Sequence, residues 1–427
     1  MSVRKVKNVV LFQHFVRGQK MKITTFFKKI LQFLHTIVEH VELKPSRETH
    51  IKVRPRWKIP RCGKCFRKAE KLHGKKGKLR RWRHLGMYGL SVWLVCRIYR
   101  VRCRKCGVTT MSVPWARVGS LFTRTFEDEV AWFLQKTNQT ATAEYFGISW
   151  PTAGKITRRV VAEKIDKERL ENLRFLGIDE INYGRPRKFL TLVVDHETRR
   201  VVWATEGQSA KSLSPFFELL GPEKCAAIEV VSIDMDAAFK KAIRDYLPKA
   251  EIVYDRFHIA QLLSRAVDEV RREQVRKAAP EQKADLKNTR YPLLKSLWNL
   301  TPSDEQKLAT VQKTNQPIYR GYLLKETFQE IFDAPSLEIA DEIFCDWFAW
   351  ARRSKLEPFK KLAITFKEHY HGIRLFIEKK LTNAIVEGFN SKVRMISHRA
   401  FGFHSARSLI AMILLNCSGI ELQAVGW

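Results

Sequence analysis

The sequence predicts a multidomain chain: a small basic cysteine-containing module and a pair of helices, followed by an α/β domain that a helical insertion divides. Three observations carry this. Two Cys-x-x-Cys pairs stand near the start, Cys62/Cys65 and Cys103/Cys106. Charge gathers in the same region: residues 1–118 hold 31 Lys and Arg against 4 acidic residues, a net +27 of the +34 on all 427 residues. From residue 174 the apolar pattern changes to short runs rich in Val, Ile and Phe, several ending near an acid, as in R-F-L-G-I-D-E-I and V-V-S-I-D-M-D. Runs of that length bounded by polar turns read as strands.

The composition is globular, 45% hydrophobic and 11% aromatic. A pI near 10.0 points to a polyanionic partner, with nucleic acid the default and a ribosome-bound or membrane-surface protein the alternative. No apolar run approaches the roughly 18 residues of a membrane helix. The basic start M-S-V-R-K-V-K lacks a small-residue cleavage site, so it does not read as a signal peptide. Met21 opens a second start, M-K-I-T-T-F-F, which makes residues 1–20 a loose tail or a segment outside the translated chain. Eight cysteines, four of them in two close pairs, suit a reducing cytoplasm and a metal better than a disulfide framework.

In chain order, Phe26, Ile30, Phe33, Leu34, Ile37 and Val41 fall at helical spacing and predict one amphipathic helix over 22–43. Residues 51–57 read as a short basic strand, and L-S-V-W-L-V-C-R-I-Y-R-V-R as a long one running into Cys103. Each cysteine pair lets one tight turn, helped by Gly63 or Gly107, present two thiolates. Four thiolates from Cys62, Cys65, Cys103 and Cys106 complete the shell of a structural zinc ion and leave no open position for chemistry. Cys96, mid-strand, reads as packing, as do Cys225, Cys345 and Cys417. Lys75, Lys76, Lys78, Arg80, Arg81 and Arg83, then Arg97, Arg100, Arg102, Arg104 and Lys105, with Trp82, Trp93 and Tyr99 interleaved, suit phosphate contacts; the alternative is a solvated face.

Residues 123–162 read as a helix and then a helix-turn-helix. Ala143, Gly147 and Ala153 supply the small residue, the turn and the apolar contact, and Ser149 and Pro151 start the second helix. Thr152, Lys155, Arg158 and Arg159 should then face outward toward a DNA groove.

The α/β part reads as strands 174–181, 187–194, 200–206, 228–234 and 251–254, with helices 211–220, 237–246 and 256–276 between and after them. Three strands joined by short turns and then strand–helix alternation is the order of a ribonuclease-H-like domain. Asp179 follows a strand core and Glu180 points to the other face, so one of the two serves a given site. Asp234 ends a strand, and Asp236 suits a helix cap. Glu387 lies on a helix with Ile385, Phe389, Val393 and Ile396 on one side, while Asn383, Glu387, Asn390 and Arg394 share another. That second face offers a metal ligand, an amide and a cation to one DNA strand. Asp255 and His258, in Y-D-R-F-H, are candidates for a supporting role; a helix cap and a surface histidine are the alternatives.

G-I-D-E-I, S-I-D-M, D-R-F-H and N-A-I-V-E-G-F-N-S-K-V-R, in that order behind the cysteine pairs and the helix-turn-helix, resemble the ISL-three family of bacterial insertion-sequence transposases over roughly residues 55–420. The resemblance implies a DDE transposase whose acidic triad is Asp179, Asp234 and Glu387, holding Mg2+ or Mn2+, with Asn390, Lys392 and Arg394 on DNA. It implies terminal inverted repeats and target DNA as partners, strand transfer after cleavage, a dimer or higher assembly on DNA, and a bacterial cytoplasmic, nucleoid-associated protein. Two ions roughly 3.5–4 Å apart suit in-line phosphodiester transfer. The expected layout is a basic segment with an amphipathic helix (1–50), a zinc module (51–115), a helix-turn-helix (116–170), a ribonuclease-H-like catalytic domain (171–261 with 381–427) and a helical insertion (262–380) inside the 152 residues between Asp234 and Glu387. The rival readings are a non-catalytic DNA-binding regulator and a nuclease of this fold that cuts without joining.

Overall fold

The computed structural model describes residues 22–31, 33–87, 89–184, 186–235, 237–379, 384–403 and 405–424. Asp236, Asn383 and the N-terminal tail lie outside them. The chain forms two compact units, residues 1–164 with 421–427 and residues 165–420. No helix among the described residues is long and apolar enough to cross a membrane.

The first unit opens with α1 (Ile23–Leu31), followed by β1 (Thr36–Leu43), β2 (Glu48–Pro55), β3 (Lys71–Arg83), β4 (Ser91–Cys103) and β5 (Gly107–Thr110). The single helix expected over 22–43 is therefore half right. Thr36, Ile37, Val38 and Val41 are β-branched, which favours a strand. His35 turns into the left-handed region at φ 57° and breaks the helix before them. Strand β1 then pairs antiparallel with β2 from Thr36↔Pro55 to Leu43↔Thr49, and Leu34, expected on the apolar face, is exposed. The sheet runs β1-β2-β4-β3 with β5 added on β4. One face buries Ile51, Val53, Trp82, Leu94, Cys96 and Ile98 against Phe27 and Leu31 of α1 and against Trp115. Each fully buried Ile or Leu there contributes about 1.5–3 kcal/mol.

Among the described residues, three more helices follow: α2 (Arg124–Lys136), α3 (Gln139–Phe146) and α4 (Trp150–Lys164). Thr123 caps α2 by accepting the Phe126 N–H, and Asn138 caps α3 by accepting the Ala141 N–H. Gly147 ends α3 at φ 55°, ψ 50°, a conformation that costs glycine least.

The second unit begins with β6 (Phe175–Gly184), β7 (Lys188–Asp195), β8 (Arg200–Glu206), α5 (Ala210–Ala226), β9 (Val230–Ile233), α6 (Ala237–Tyr246), β10 (Glu251–Tyr254) and α7 (Arg256–Lys277). These elements fall where the periodicity predicts them, except that β6 runs on to Gly184, which puts Asp179 in mid-strand rather than at a strand end. The sheet order is β10-β9-β6-β7-β8, parallel across β10-β9-β6 and antiparallel across β6-β7-β8. Because strand side chains alternate, β6 sends Leu176 and Ile178 to one face, where they share a core with Phe216 and Phe217 of α5 and Phe239 of α6. Gly177 and Asp179 go to the other.

The insertion is helical: α8 (Pro280–Asp285), α9 (Arg290–Leu294), α10 (Pro302–Thr314), α11 (Gln316–Glu330), α12 (Leu337–Arg353) and α13 (Glu357–Lys379). Its Phe328, Trp347 and Phe366 belong to the same continuous core as the sheet residues. Helices α14 (Ala384–Arg399) and α15 (Ala406–Cys417) return the chain to the sheet, α14 against β6 and α15 against β8.

Candidate functional site

The two cysteine knuckles lie at neighbouring turns of the first sheet. Cys103 ends β4, and Cys106 precedes β5, which pairs back through Cys103↔Gly107. Cys62 bridges to Met111 just beyond β5. All four Sγ atoms lie within 4.8 Å of one another, the most compact group of metal-ligating atoms among the described residues, and Cys65 and Cys103 approach to 3.5 Å. A tetrahedron with Zn–S of 2.3 Å has edges of about 3.8 Å, so the quartet fits a four-thiolate ion. A backbone hydrogen bond at Arg67 brings the Cys65 thiol down to about 7, whereas burial and its sulfur neighbours push Cys106 up to about 12. Without a cation, one thiolate discourages the next.

Around this centre, Lys76, Lys78, Arg80 and Arg81 are exposed along β3. Not every cation of the cluster is available to a ligand. Arg83 donates to the Gly147 carbonyl at 2.9 Å, fastening the sheet to the turn between α3 and α4. Arg104 pairs with Glu70 at 2.9 Å, and Trp82 is buried against Trp115. On α4, Ala153, Ile156 and Val160 face inward and Lys155 is exposed, while Thr152 and Arg158 are half-buried. The Thr152 hydroxyl bonds to that of Ser149 at 2.8 Å. Arg159, expected outward, instead grips the fully buried Glu127, its Nε 2.8 Å from Oε1. Glu127 also receives Ser120 and the buried Arg117, and Arg117 reaches on to Asp128 and Glu163. An unpaired carboxylate at that depth would cost several kcal/mol, which is why Arg159 turns in.

In the second unit, strand register gathers the acids. Parallel pairing sets Phe175 opposite Val230 and Gly177 opposite Ser232; four residues from the first pair, the same register sets Asp179 beside Asp234. Pairing of Tyr254 with Ile233 likewise sets Asp255 beside Asp234 on the other side. Neighbouring strands are about 4.8 Å apart, so the three acids lie side by side along the sheet, Asp234 and Asp255 each one residue past a strand end. His258, one turn into α7, bridges two of them, with Nδ1 3.3 Å from Asp234 and Nε2 4.0 Å from Asp255. Burial pushes the Asp179 carboxyl above the usual range, against the Asn390 amide and the Glu180 N–H, which hold it down. Burial raises Asp255 as well; His258 opposes the rise, while Glu387 and Asp179 add to it. Glu387, exposed on α14, is thus within electrostatic reach of the row.

Helix α14 is rotated from the face its periodicity suggests. Val386, Asn390, Val393 and Ile396 are buried, while Ile385 and Phe389 are half-buried. The cause is Gly177: a Cβ there would lie 2.4 Å from Val386 Cγ2, so the bare backbone admits the helix. A lone glycine inside a strand signals such an approach and was the available clue. Asn390 accordingly points inward, its Nδ2 donating to Asp179 Oδ2, rather than toward a ligand strand. Lys392 donates to the Asn416 carbonyl at 2.7 Å near the C-terminus of α15, where a cation is favoured. Arg394 is exposed, as expected.

A family profile described as "Transposase" matches residues 176–413, and one described as "Helix-turn-helix domain of transposase family ISL3" matches residues 111–161. The chain is 34% identical over 414 residues to the transposase for insertion sequence element IS1557 of Mycobacterium tuberculosis, in two strains, covering 90% of this chain and 93% of the relative. It is 28% identical over 372 residues to the transposase for insertion sequence element IS1001 of Bordetella parapertussis, covering 86% and 91%. The chain belongs to the ISL3 family of insertion-sequence transposases.

Proposed function

We propose that this transposase binds the terminal inverted repeats of its element through the cysteine module and the helix-turn-helix, and cuts and joins DNA at the acidic row of the second unit. The observation that carries the reading is the register that sets Asp179 beside Asp234, with Glu387 brought near on a helix docked to the same strand. The strand order β10-β9-β6-β7-β8 supports a ribonuclease-H-like catalytic domain, with 262–380 as its insertion and the domain limits drawn above. Asp179, Asp234 and Glu387 would hold Mg2+ or Mn2+, and hard carboxylate oxygens suit either ion. Such ions, when bound, neutralise charge on the scissile phosphate and on the attacking and leaving oxygens. His258, between Asp234 and Asp255, would help to orient both. Thr152, Lys155 and Arg158 would lie toward bases and phosphates and Arg394 toward a phosphate, whereas Arg159, Asn390 and Lys392 act through the contacts just described. Zinc at the four cysteines fixes the module's shape. A dimer on paired DNA ends and a nucleoid-associated cytoplasmic location follow from this activity.

The test is a Mg2+-dependent assay on DNA carrying the element's own ends, comparing wild type with Asp234→Asn. Wild type should yield joined products. The variant should bind equally and lose about a thousandfold or more in cleavage, the worth of roughly 4 kcal/mol of transition-state stabilisation. Binding without cutting by both would favour a regulator, and cutting without joining by wild type would favour a nuclease.

A further inference from the structure

We propose that Asn390 is a member of the acidic site: its amide N–H fixes the Asp179 carboxylate, and its carbonyl oxygen is a further ligand for the divalent cation that Asp179 holds. This rests on the acidic-site reading above and extends it by a residue that the DDE triad does not contain.

Four observations meet here. Gly177 and Asp179 project from the same face of β6, and Val386 of α14 packs where a Gly177 Cβ would be. One helical turn beyond Val386, Asn390 reaches Asp179, and its Nδ2 donates to Oδ2. The other oxygen, Oδ1, receives the Glu180 N–H at 2.7 Å, so donors at both oxygens hold the carboxylate in one plane. Each of those oxygens keeps a second lone pair for a ligand.

The decisive feature is the far end of the amide. Asn390 is 6% exposed, and its Oδ1 is buried with no hydrogen-bond partner among the described residues. Leaving such an oxygen unsatisfied costs about 1–3 kcal/mol, and native structures rarely accept that without an ion or a water. The same side chain bonds a carboxylate in a row of acids, where a divalent cation would satisfy the amide oxygen and relieve the repulsion together. An amide oxygen is a hard donor of the kind Mg2+ and Mn2+ accept. A DNA contact would instead need the amide at the surface.

The test is Mn2+ binding by the full-length, zinc-loaded chain without DNA, followed by calorimetry, alongside binding of end DNA in chelator. Asp179→Asn, Asn390→Leu and Asn390→Asp are compared with wild type. Asn390→Leu should weaken Mn2+ binding about 10–100-fold, the range seen when groups supporting a metal ligand are lost, and leave end-DNA binding unchanged. Asn390→Asp keeps a hard oxygen but loses the N–H that fixes Asp179, so its Mn2+ binding should fall between those of wild type and Asn390→Leu. If Asn390→Leu binds Mn2+ like wild type, or loses end DNA instead, the assignment is overturned. If Asn390→Leu does not fold, Asn390→Asp decides alone, and loss of end-DNA binding with Mn2+ binding unchanged there sinks the proposal. Asp179→Asn separates the two levels. Should it bind Mn2+ as tightly as wild type, the acidic-site reading fails along with Asn390; should it weaken binding while Asn390→Leu does not, only the Asn390 role fails.

Discussion

Four thiols of the first unit stand within 4.8 Å of one another, delivered by two turns of one small sheet. The carboxylates of the second unit come from one strand, from just past the ends of two neighbouring strands and from a helix whose Glu387 is separated from Asp234 by 152 residues. The first group is complete in itself, and its four soft ligands suit an ion that organises the fold. The second is assembled from distant segments, with one acid exposed and an amide oxygen unsatisfied. On the proposed function, that contrast separates a site built to hold shape from a site built to stay open for a substrate.

The contrast can be broken most directly at the thiols. Cys106→Ser should take zinc from about one per chain toward none and unfold the first unit, since structural zinc is worth about 10–16 kcal/mol in small zinc-dependent folds. Metal analysis with scanning calorimetry would check it. Asp234→Asn should change stability by no more than about 0.5 kcal/mol; an equal loss of stability at both sites would erase the distinction. Next in size is Arg117→Leu, which leaves Glu127 buried with less compensation and should cost about 3–5 kcal/mol in chemical denaturation. Gly177→Ala comes third. It forces α14 off β6 and should cost about 1–3 kcal/mol, with Val386→Ala in the same chain recovering most of the loss. If the double variant is no better than the single, Val386 is not what the glycine accommodates. The smallest effect is at Lys155→Ala, which should lower the slope of log affinity against log salt by about 1 for end DNA and leave stability intact. Arg159→Ala should do the reverse, because its partner is Glu127.

Much of this was legible in the residues. The cysteine spacing pointed to one cluster, Gly147 marked the turn before the second helix, and the strands and helices from 174 to 277 follow their periodicity closely. What misled were positions whose neighbours are remote in sequence. Thr36–Leu43 fits a helical pattern, but pairing with β2 decides for a strand. Arg159 and Asn390 look like surface polar residues on their own helices. Each turns inward to a carboxylate, Glu127 or Asp179, that lies 32 or 211 positions away. Helix α14 was misoriented for the same reason: its buried face is set by a missing Cβ on β6, which helical periodicity does not report.

The long separation between Asp234 and Glu387 also orders events in time. A ribosome adds about 5–20 residues per second, so the 152 residues between them occupy roughly 8–30 s of synthesis at that pace. Throughout that interval residues 1–164, the first unit without its last seven residues, are already made, while the acidic row still lacks the helix that carries Glu387 and Asn390. On the proposed function, a nascent chain acquires its grip on DNA well before it acquires the means to cut.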